Sequence, residues 1–501
     1  MSQPGGAGEP DLIDVAIIGA GISGIDAAYR LTEAVPELTY TILEARERVG
    51  GTWDLFRYPG IRSDSDIFTF SFPFHPWRRE RSIADGADIR AYIESTAEEL
   101  GIDEHIRFGA QVQRADFDSD TDRWTVTYRS DDQEVSVAAR FLYFATGYYD
   151  YHRPYTPSFP GSDDFAGTII HPQFWPEDLD VTGQRIVVIG SGATAITLLP
   201  TLAKQAASVT MLQRSPSYIV PLPAVSPITP VVQKYLPAGL AHKVLRQVNA
   251  ASSMVTYEFC RRAPDRARKV IRSLAARDLP ADFDVDTHLN PTYAPWDQRV
   301  CLCPNGDFFR AIRKDGAQVV TDTIDHFDAT GIALTSGEHL DADIIVTATG
   351  LRMQSLGGVT VSVDGDEVDL HERFVYRGHM IDGLPNAAWA IGYTNASWTL
   401  RCDITARTVG KLLAYMRAHG YTRACPDSSG TEIVEKSLLG LESGYVQRAV
   451  DELPRAGTKR PWTVRQNYYL DSLDARFGKA TDSMVFSRIG DRVTEHPTIS
   501  S

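Results

Sequence analysis

The sequence predicts an α/β protein built from two dinucleotide-binding Rossmann-like domains, the second inserted in the first, with a helical insertion. Three observations predict it. A short apolar run that ends in a glycine-rich turn and enters a helical stretch occurs twice, at residues 14–24 and again at 185–195. A strand ending in Ala-Thr-Gly also occurs twice, at Ala145-Thr146-Gly147 and at Ala348-Thr349-Gly350. Between the second glycine turn and the second Ala-Thr-Gly lies a stretch, roughly 225–290, that is low in glycine and has helical apolar spacing.

The elements follow in order. Residues 14–18 are, after Asp14, apolar and rich in β-branched side chains, as a fully buried strand should be, and they end in Gly19-Ala20-Gly21-Ile22-Ser23-Gly24. A helical pattern runs on through Ala28 and Leu31, and a second strand, 40–43, ends in Glu44. A Gly/Pro/aromatic loop spans 50–62, and residues 87–100 read as an amphipathic helix. Residues 123–128 alternate at period two, which suggests an antiparallel ribbon beside the main sheet. Residues 141–144 form another buried strand.

The second unit repeats this syntax. Residues 185–189 form a strand, Gly190-Ser191-Gly192-Ala193-Thr194-Ala195 a turn into a helix, and 208–212 the next strand, followed by Gln213-Arg214-Ser215. Residues 343–346 form a further strand. The chain is expected to cross between the units near Gly147 and Gly350. The expected division is 1–150 and 336–501 for the two parts of the first domain and 151–335 for the second, with the last hundred residues mixed and loop-rich.

Composition narrows the function classes. The 501 residues carry a net charge of −15, spread along the chain, which disfavours a broad nucleic-acid surface and favours a soluble monomer or small homo-oligomer. Five cysteines, an odd number without disulfide spacing, suit a reducing cytoplasm. Cys301-Leu302-Cys303 has the wrong spacing for a C-x-x-C redox pair or half a zinc site, so no metal is expected. Residues 1–11 have neither the basic nor the apolar region of a signal peptide, and no uninterrupted apolar window is long enough for a transmembrane span.

Each glycine turn implies phosphate chemistry. Gly19 permits the tight turn, Gly21 lets the backbone approach a pyrophosphate, and Gly24 lets the helix pack close to the strand. The helix start presents free N–H groups to the phosphates, and Ser23 adds a hydroxyl donor. Glu44, at the end of the next strand, can bind both ribose hydroxyls. In the second turn Ala195 replaces the third glycine, and Arg214 stands where an acid would otherwise recognise a 2′-hydroxyl. A carboxylate there would repel a 2′-phosphate, whereas Arg214, helped by Ser215, can pair with one. The expected cofactors are therefore FAD at the first site and NADPH at the second.

Between the units runs Phe165-Ala166-Gly167-Thr168-Ile169-Ile170-His171-Pro172-Gln173-Phe174-Trp175-Pro176. This resembles F-x-G-x-x-x-H-x-x-x-W-P/D, the fingerprint of type I Baeyer–Villiger flavoprotein monooxygenases, and the resemblance extends over nearly the whole chain. N-hydroxylating and flavin-containing monooxygenases usually end that fingerprint with Tyr or Phe instead of Trp175. Gly50-Gly51-Thr52-Trp53-Asp54, Arg57-Tyr58-Pro59-Gly60 and Gly392-Tyr393-Thr394-Asn395-Ala396-Ser397-Trp398 resemble most nearly the branch of the mycobacterial ethionamide-activating monooxygenases.

The resemblance implies that a reduced flavin captures O2 as a C4a-peroxide and converts ketones to esters or lactones, with S-oxygenation of sulfides or thioamides as a second activity. It places the cation that steadies the peroxide at Arg299 and that cation's carboxylate partner at Asp64, and it matches Gly51, Thr52, Trp53, Asp54, Leu55 and Val112 to positions lining FAD. Arg299 could otherwise serve a domain interface, and Asp64 could cap the helix entering at Ile67. His171 and Trp175 are read as setting the rotation of one domain against the other, and 462–467 as matching a loop that closes over NADP+. Gln298 stands where many members have Lys, which shifts more of the 2′-phosphate recognition onto Arg214. The competing readings are an N-hydroxylating or flavin-containing monooxygenase, a disulfide reductase lacking its cysteine pair, and a non-catalytic flavin-binding redox module.

Overall fold

The computed structural model describes residues 12–479 and 481–491. The leader reading made for residues 1–11 lies outside them.

The first nucleotide unit is a nine-stranded sheet. Its parallel part orders Ile106–Arg107, Tyr40–Leu43, Leu12–Ile18, Gln133–Phe144 and Ala387–Trp389. The ribbon expected from period-two alternation is present: Arg123–Ser130 pairs antiparallel with Gln133–Phe144 on one side and Gln111–Asp118 on the other. Leu12–Ile18 is buried along its C-terminal half because both its faces are covered. On one face the helices Ile22–Ala34 and Trp398–His419 lie together, close enough that a Cβ on Gly410 would sit 2.8 Å from that of Ala34. A buried ion pair, Arg30 to Asp403 at 2.7 Å, ties the same two helices.

The second unit is a five-stranded, all-parallel sheet ordered Gln318–Thr321, Ser208–Gln213, Arg185–Ile189, Ile344–Thr347, Thr168–Ile170. Two expectations change here. The boundary placed at 335 falls too early, because Ile344–Thr347 is hydrogen-bonded between two strands of this sheet and the chain leaves only afterwards, near Gly350. The fingerprint segment is not wholly a linker either: its Thr168–Ile170 forms the edge strand of this sheet.

The insertion is helical as its spacing predicts, with Ile228–Tyr235, Ala238–Arg262 and Pro264–Arg277. The C-terminal part holds an element that the sequence reading did not order, the 22-residue helix Trp398–His419. Its apolar positions are interleaved with Arg401, Asp403 and Arg407, which blurs the period. No helix among the described residues is long and apolar enough to cross a membrane.

Candidate functional site

Gly19 and Gly21 lie in the turn between Leu12–Ile18 and Ile22–Ala34, and Gly24 in the first turn of that helix, where space dictates glycine. A Cβ on Gly24 would lie 1.9 Å from the carbonyl oxygen of Gly19. Glu44 is 5% exposed, and its two carboxylate oxygens accept from the backbone N–H of Ala20 (2.6 Å) and of Arg46 (2.9 Å). Burial pushes its pKa up, against the pull of those donors. Each oxygen keeps a free lone pair, so the carboxylate is fixed and still able to accept from ribose hydroxyls. Gly19, Gly21, Glu44, Leu55 and Val112 line one cleft of about 650 Å³. Asp54, 3% exposed, also faces it, held by Arg46 through contacts of 2.7 and 2.9 Å. These residues fit FAD: a buried acceptor at a strand end, a turn that admits no side chain, and a cleft beside both.

Ser23 differs from the expectation. Its hydroxyl accepts from the indole N–H of Trp398 at 3.0 Å and contacts Cys402 Sγ at 3.2 Å, so it is engaged between helices instead of being free for a phosphate. The backbone N–H groups at the helix start are what the turn leaves to offer a phosphate.

The second turn has the same logic. Gly190 adopts φ +134°, and a Cβ there would meet the carbonyl oxygen of Ala348 at 2.3 Å. Ala193 starts the helix Ala193–Leu202, and Ala195 is fully buried against the sheet. No heavy atom lies within 4 Å of a Cβ built on Gly192, which leaves the turn open for a pyrophosphate. Ser191 Oγ donates to the Ser215 carbonyl at 2.9 Å, tying the turn to the loop that carries Arg214. Arg214 itself is exposed at the end of Ser208–Gln213, free to meet a 2′-phosphate. The residues present fit NADPH.

A second cavity, about 240 Å³, joins the two units. Gly21, Gly51, Thr52 and Trp53 reach it from the first, and Ala193 and Thr194 from the second. Arg299 and Asp64 stand together in its wall. Two contacts of 3.1 Å, Nε to Oδ2 and Nη2 to Oδ1, make the pair bidentate. The Asp64 charge raises the Arg299 pKa above its ordinary high value, so the guanidinium stays cationic.

Local structure explains how residues so distant in sequence meet. The turn before Arg299 is pinned by Asp297, which accepts from the Ala294 N–H at 2.9 Å and from Arg261 at 2.6 Å. Arg299 then enters Cys301–Pro304, which pairs with Ile219–Leu222. On the other side, Ser63 N–H donates to the Ala84 carbonyl at 3.0 Å. The cap of Ile67–Phe70 is Asp66, which accepts from Thr69 N–H at 2.8 Å, so Asp64 is not spent as a helix cap.

Sequence reasoning missed an aromatic wall. Tyr148, Tyr149 and Tyr151 line the cavity directly after Gly147. Tyr149 donates to Thr52 Oγ1 at 2.7 Å, and Tyr148 stacks on Trp398 with centroids 4.9 Å apart. Three tyrosines in four residues at a domain crossing were the available signal. Burial raises all three phenol pKa values, that of Tyr151 to about 12, so these hydroxyls stay protonated.

The fingerprint lies at the junction: Gln173 Nε2 donates to the Asp150 carbonyl at 2.8 Å, and Trp175 borders the larger cleft. His171 lies outside both cavity walls; its Nδ1 accepts from Gln173 N–H at 3.1 Å. The segment 462–467, matched to a mobile loop, is packed here. Trp462 is buried against Tyr376, and Gln466 Oε1 accepts from Thr394 N–H at 3.0 Å.

Residues 13–226 match the family model of flavin-binding monooxygenase-like proteins. The chain is 51% identical to the FAD-containing monooxygenase EthA of Mycolicibacterium smegmatis over 94% of its own length and 96% of that protein's. It is 44% identical to the probable FAD-binding monooxygenase AlmA of Acinetobacter baylyi, over 92% of its own length and 93% of that protein's. Among solved structures, an oxidized steroid monooxygenase bound to NADP shares the fold with a TM-score of 0.75 at 24% identity, covering 95% of this chain and all of that one. An open cyclohexanone monooxygenase does so with a TM-score of 0.72 at 21% identity, covering 95% and 99%. The fold expected from the two glycine turns is thus the fold found, and identity of this degree along nearly the whole of both chains makes the protein a member of the family of FAD-containing, flavin-binding monooxygenases.

Proposed function

We propose that the enzyme is an NADPH- and O2-dependent Baeyer–Villiger monooxygenase that converts ketones to esters or lactones, with S-oxygenation of sulfides or thioamides as a second activity. The balance is ketone, O2, NADPH and a proton in, ester, water and NADP+ out. The observation that carries this reading is the bidentate Arg299–Asp64 pair in a cavity walled by both nucleotide turns. Bound FAD supplies hydride acceptance from NADPH and the activation of O2.

The residues divide the remaining work. Glu44 holds the FAD ribose, the turn at Gly19, Gly21 and Gly24 admits its pyrophosphate, and Gly51, Thr52, Trp53, Asp54, Leu55 and Val112 border it. Gly190, Ser191, Gly192, Ala193, Thr194 and Ala195 cradle NADPH, with Arg214 and Ser215 on the 2′-phosphate. Arg299 is the catalytic cation that stabilises negative charge on oxygen as it develops, and Asp64 fixes the plane of its guanidinium. The tyrosine wall excludes water and, with protonated hydroxyls, adds no competing charge. The domain division that supports this is 1–150 and from about 348 onward for FAD, with 151–347 for NADPH.

The shared fold with a cyclohexanone monooxygenase supports a ketone substrate, and the resemblance of residues 50–60 and 392–398 to the ethionamide-activating branch supports oxidation at sulfur. Five free cysteines and the acidic surface support a cytoplasmic monomer or small oligomer with no nucleic-acid partner. The test follows NADPH oxidation by the FAD-loaded protein with product analysis on a panel of ketones and thioethers. Ester or lactone formation is expected. Failure of NADPH to reduce the flavin, or hydrogen peroxide as the sole product with every substrate, would overturn the assignment.

A further inference from the structure

Helices Trp398–His419 and Tyr468–Phe477 pack together and border a further, open cavity of about 170 Å³, distinct from the one between the two units. One water needs about 10–15 Å³ of such space. Arg401, Thr405, Thr408 and Lys411 reach the cavity from one face of the first helix, spaced by three and four residues. Arg377 and His379 reach it from the preceding segment and Arg476 from the second helix.

The lining is positive in a chain whose net charge is −15. Its two carboxylates are already committed. Asp471 accepts from the Tyr393 hydroxyl at 2.8 Å and from Arg401 Nη2 at 3.2 Å. Asp474 pairs with Arg377 at 3.4 Å and with Arg460 at 2.6 Å. The four cations of the lining therefore outnumber its carboxylates by two.

Arg401 is a buried member of this lining. Its side chain is 5% exposed, and its guanidinium lies over the Tyr393 ring at 4.1 Å. Its Nη1 has no partner among the described residues. A buried cationic N–H group without an acceptor is costly, which leaves the Arg401 charge under-compensated beside the cavity. Lys411 donates one of its three protons to the Ala475 carbonyl at 2.7 Å and keeps two for the cavity.

We propose that this cavity is a binding site for a small oxyanion, of the phosphate or short dicarboxylate class, held by Arg401, Lys411 and Arg476. Lys411 and Arg476 reach the anion directly, and Arg401, which holds Asp471 through Nη2, adds its buried charge beside it. The same guanidinium stacks on Tyr393, which lines the catalytic cavity, so the two sites are one side chain apart.

The test uses FAD-loaded enzyme saturated with NADP+, so that the nucleotide phosphate sites are filled. Sodium phosphate or sodium malonate is titrated at constant ionic strength set with chloride, and the thermal unfolding midpoint is followed. A saturable rise is expected, from phosphate if the site suits a phosphoryl group, from malonate if it suits carboxylates. The double variant Lys411→Gln/Arg476→Gln alters two exposed side chains and should weaken the anion about tenfold, with an unchanged midpoint in chloride alone. A rise that does not saturate and is the same in the variant is a general salting effect. That outcome, or no rise at all, would overturn the proposal and leave a merely hydrated cavity.

Discussion

Replacing Arg299 by Ala removes the cation proposed to stabilise oxygen transfer in the cavity between the two units. A unit negative charge about 4 Å from a guanidinium, at an effective dielectric constant of about 20, gains about 4 kcal/mol. Asp64, bound through two contacts of 3.1 Å, cancels part of that field, and the pair faces the cavity with 34% and 33% of its side chains exposed. A rise of about 3–4 kcal/mol in the oxygen-transfer barrier follows, or a loss of about 10²–10³-fold in product formation. The NADPH cradle around Gly190 and Arg214 does not include Arg299, so NADPH should still be consumed, with hydrogen peroxide replacing ester. Stopped-flow absorbance measures flavin reduction, and chromatography measures ester and peroxide. Arg299→Lys keeps the charge but loses the two-pronged contact and should recover activity only in part. Product at the parent rate from Arg299→Ala would refute the reasoning. So would a flavin reduction slowed by the same factor as product, because Arg299 would then act in nucleotide binding.

Three further outcomes are expected. Arg214→Ala should raise KM for NADPH about 10- to 100-fold and leave KM for NADH nearly unchanged, as steady-state kinetics with both nucleotides would show. Gly24→Ala, which drives a Cβ to 1.9 Å from the Gly19 carbonyl oxygen, should yield protein without bound flavin, read from the visible absorbance after purification. His242 is 2% exposed, and burial, aided by the charge of Arg246, lowers its pKa from 6.5 to about 4. Between those values the unfolded chain binds the proton and the folded chain does not, so stability falls as pH drops through the window, by up to about 3 kcal/mol near pH 4. The drop in thermal midpoint between pH 7 and pH 5 should shrink in His242→Phe, and an unchanged drop would assign the acid sensitivity elsewhere.

Much of the site was legible because it is written in local motifs. A glycine turn after an apolar strand has few mechanical explanations, and Glu44 and Arg214 sit where strand length places them. The parts that were not legible depend on distant packing. The Ser23 hydroxyl looked free until Trp398 and Cys402 were brought against it by a helix that the charges within it had concealed. From the sequence Asp64 could have capped the helix entering at Ile67, and only the geometry at Thr69 shows that Asp66 takes that place. The boundary at 335 failed because a strand of four residues, Ile344–Thr347, carries no mark of which sheet it will join.

The order in which the strands are delivered has a consequence for biosynthesis. All five strands of the second sheet have been made once Thr347 leaves the ribosome, whereas the first sheet waits for Ala387–Trp389 to pair beside Gln133–Phe144. Translation at about 5–20 residues per second imposes a delay of about 10–50 s between those two pairing strands. During that interval the nicotinamide unit can close, while the flavin unit keeps an open edge at Phe144 and lacks the helix that covers Ile22–Ala34. Flavin capture therefore belongs to the end of synthesis, and a chain stopped between 347 and 387 would carry one finished nucleotide fold and one aggregation-prone edge.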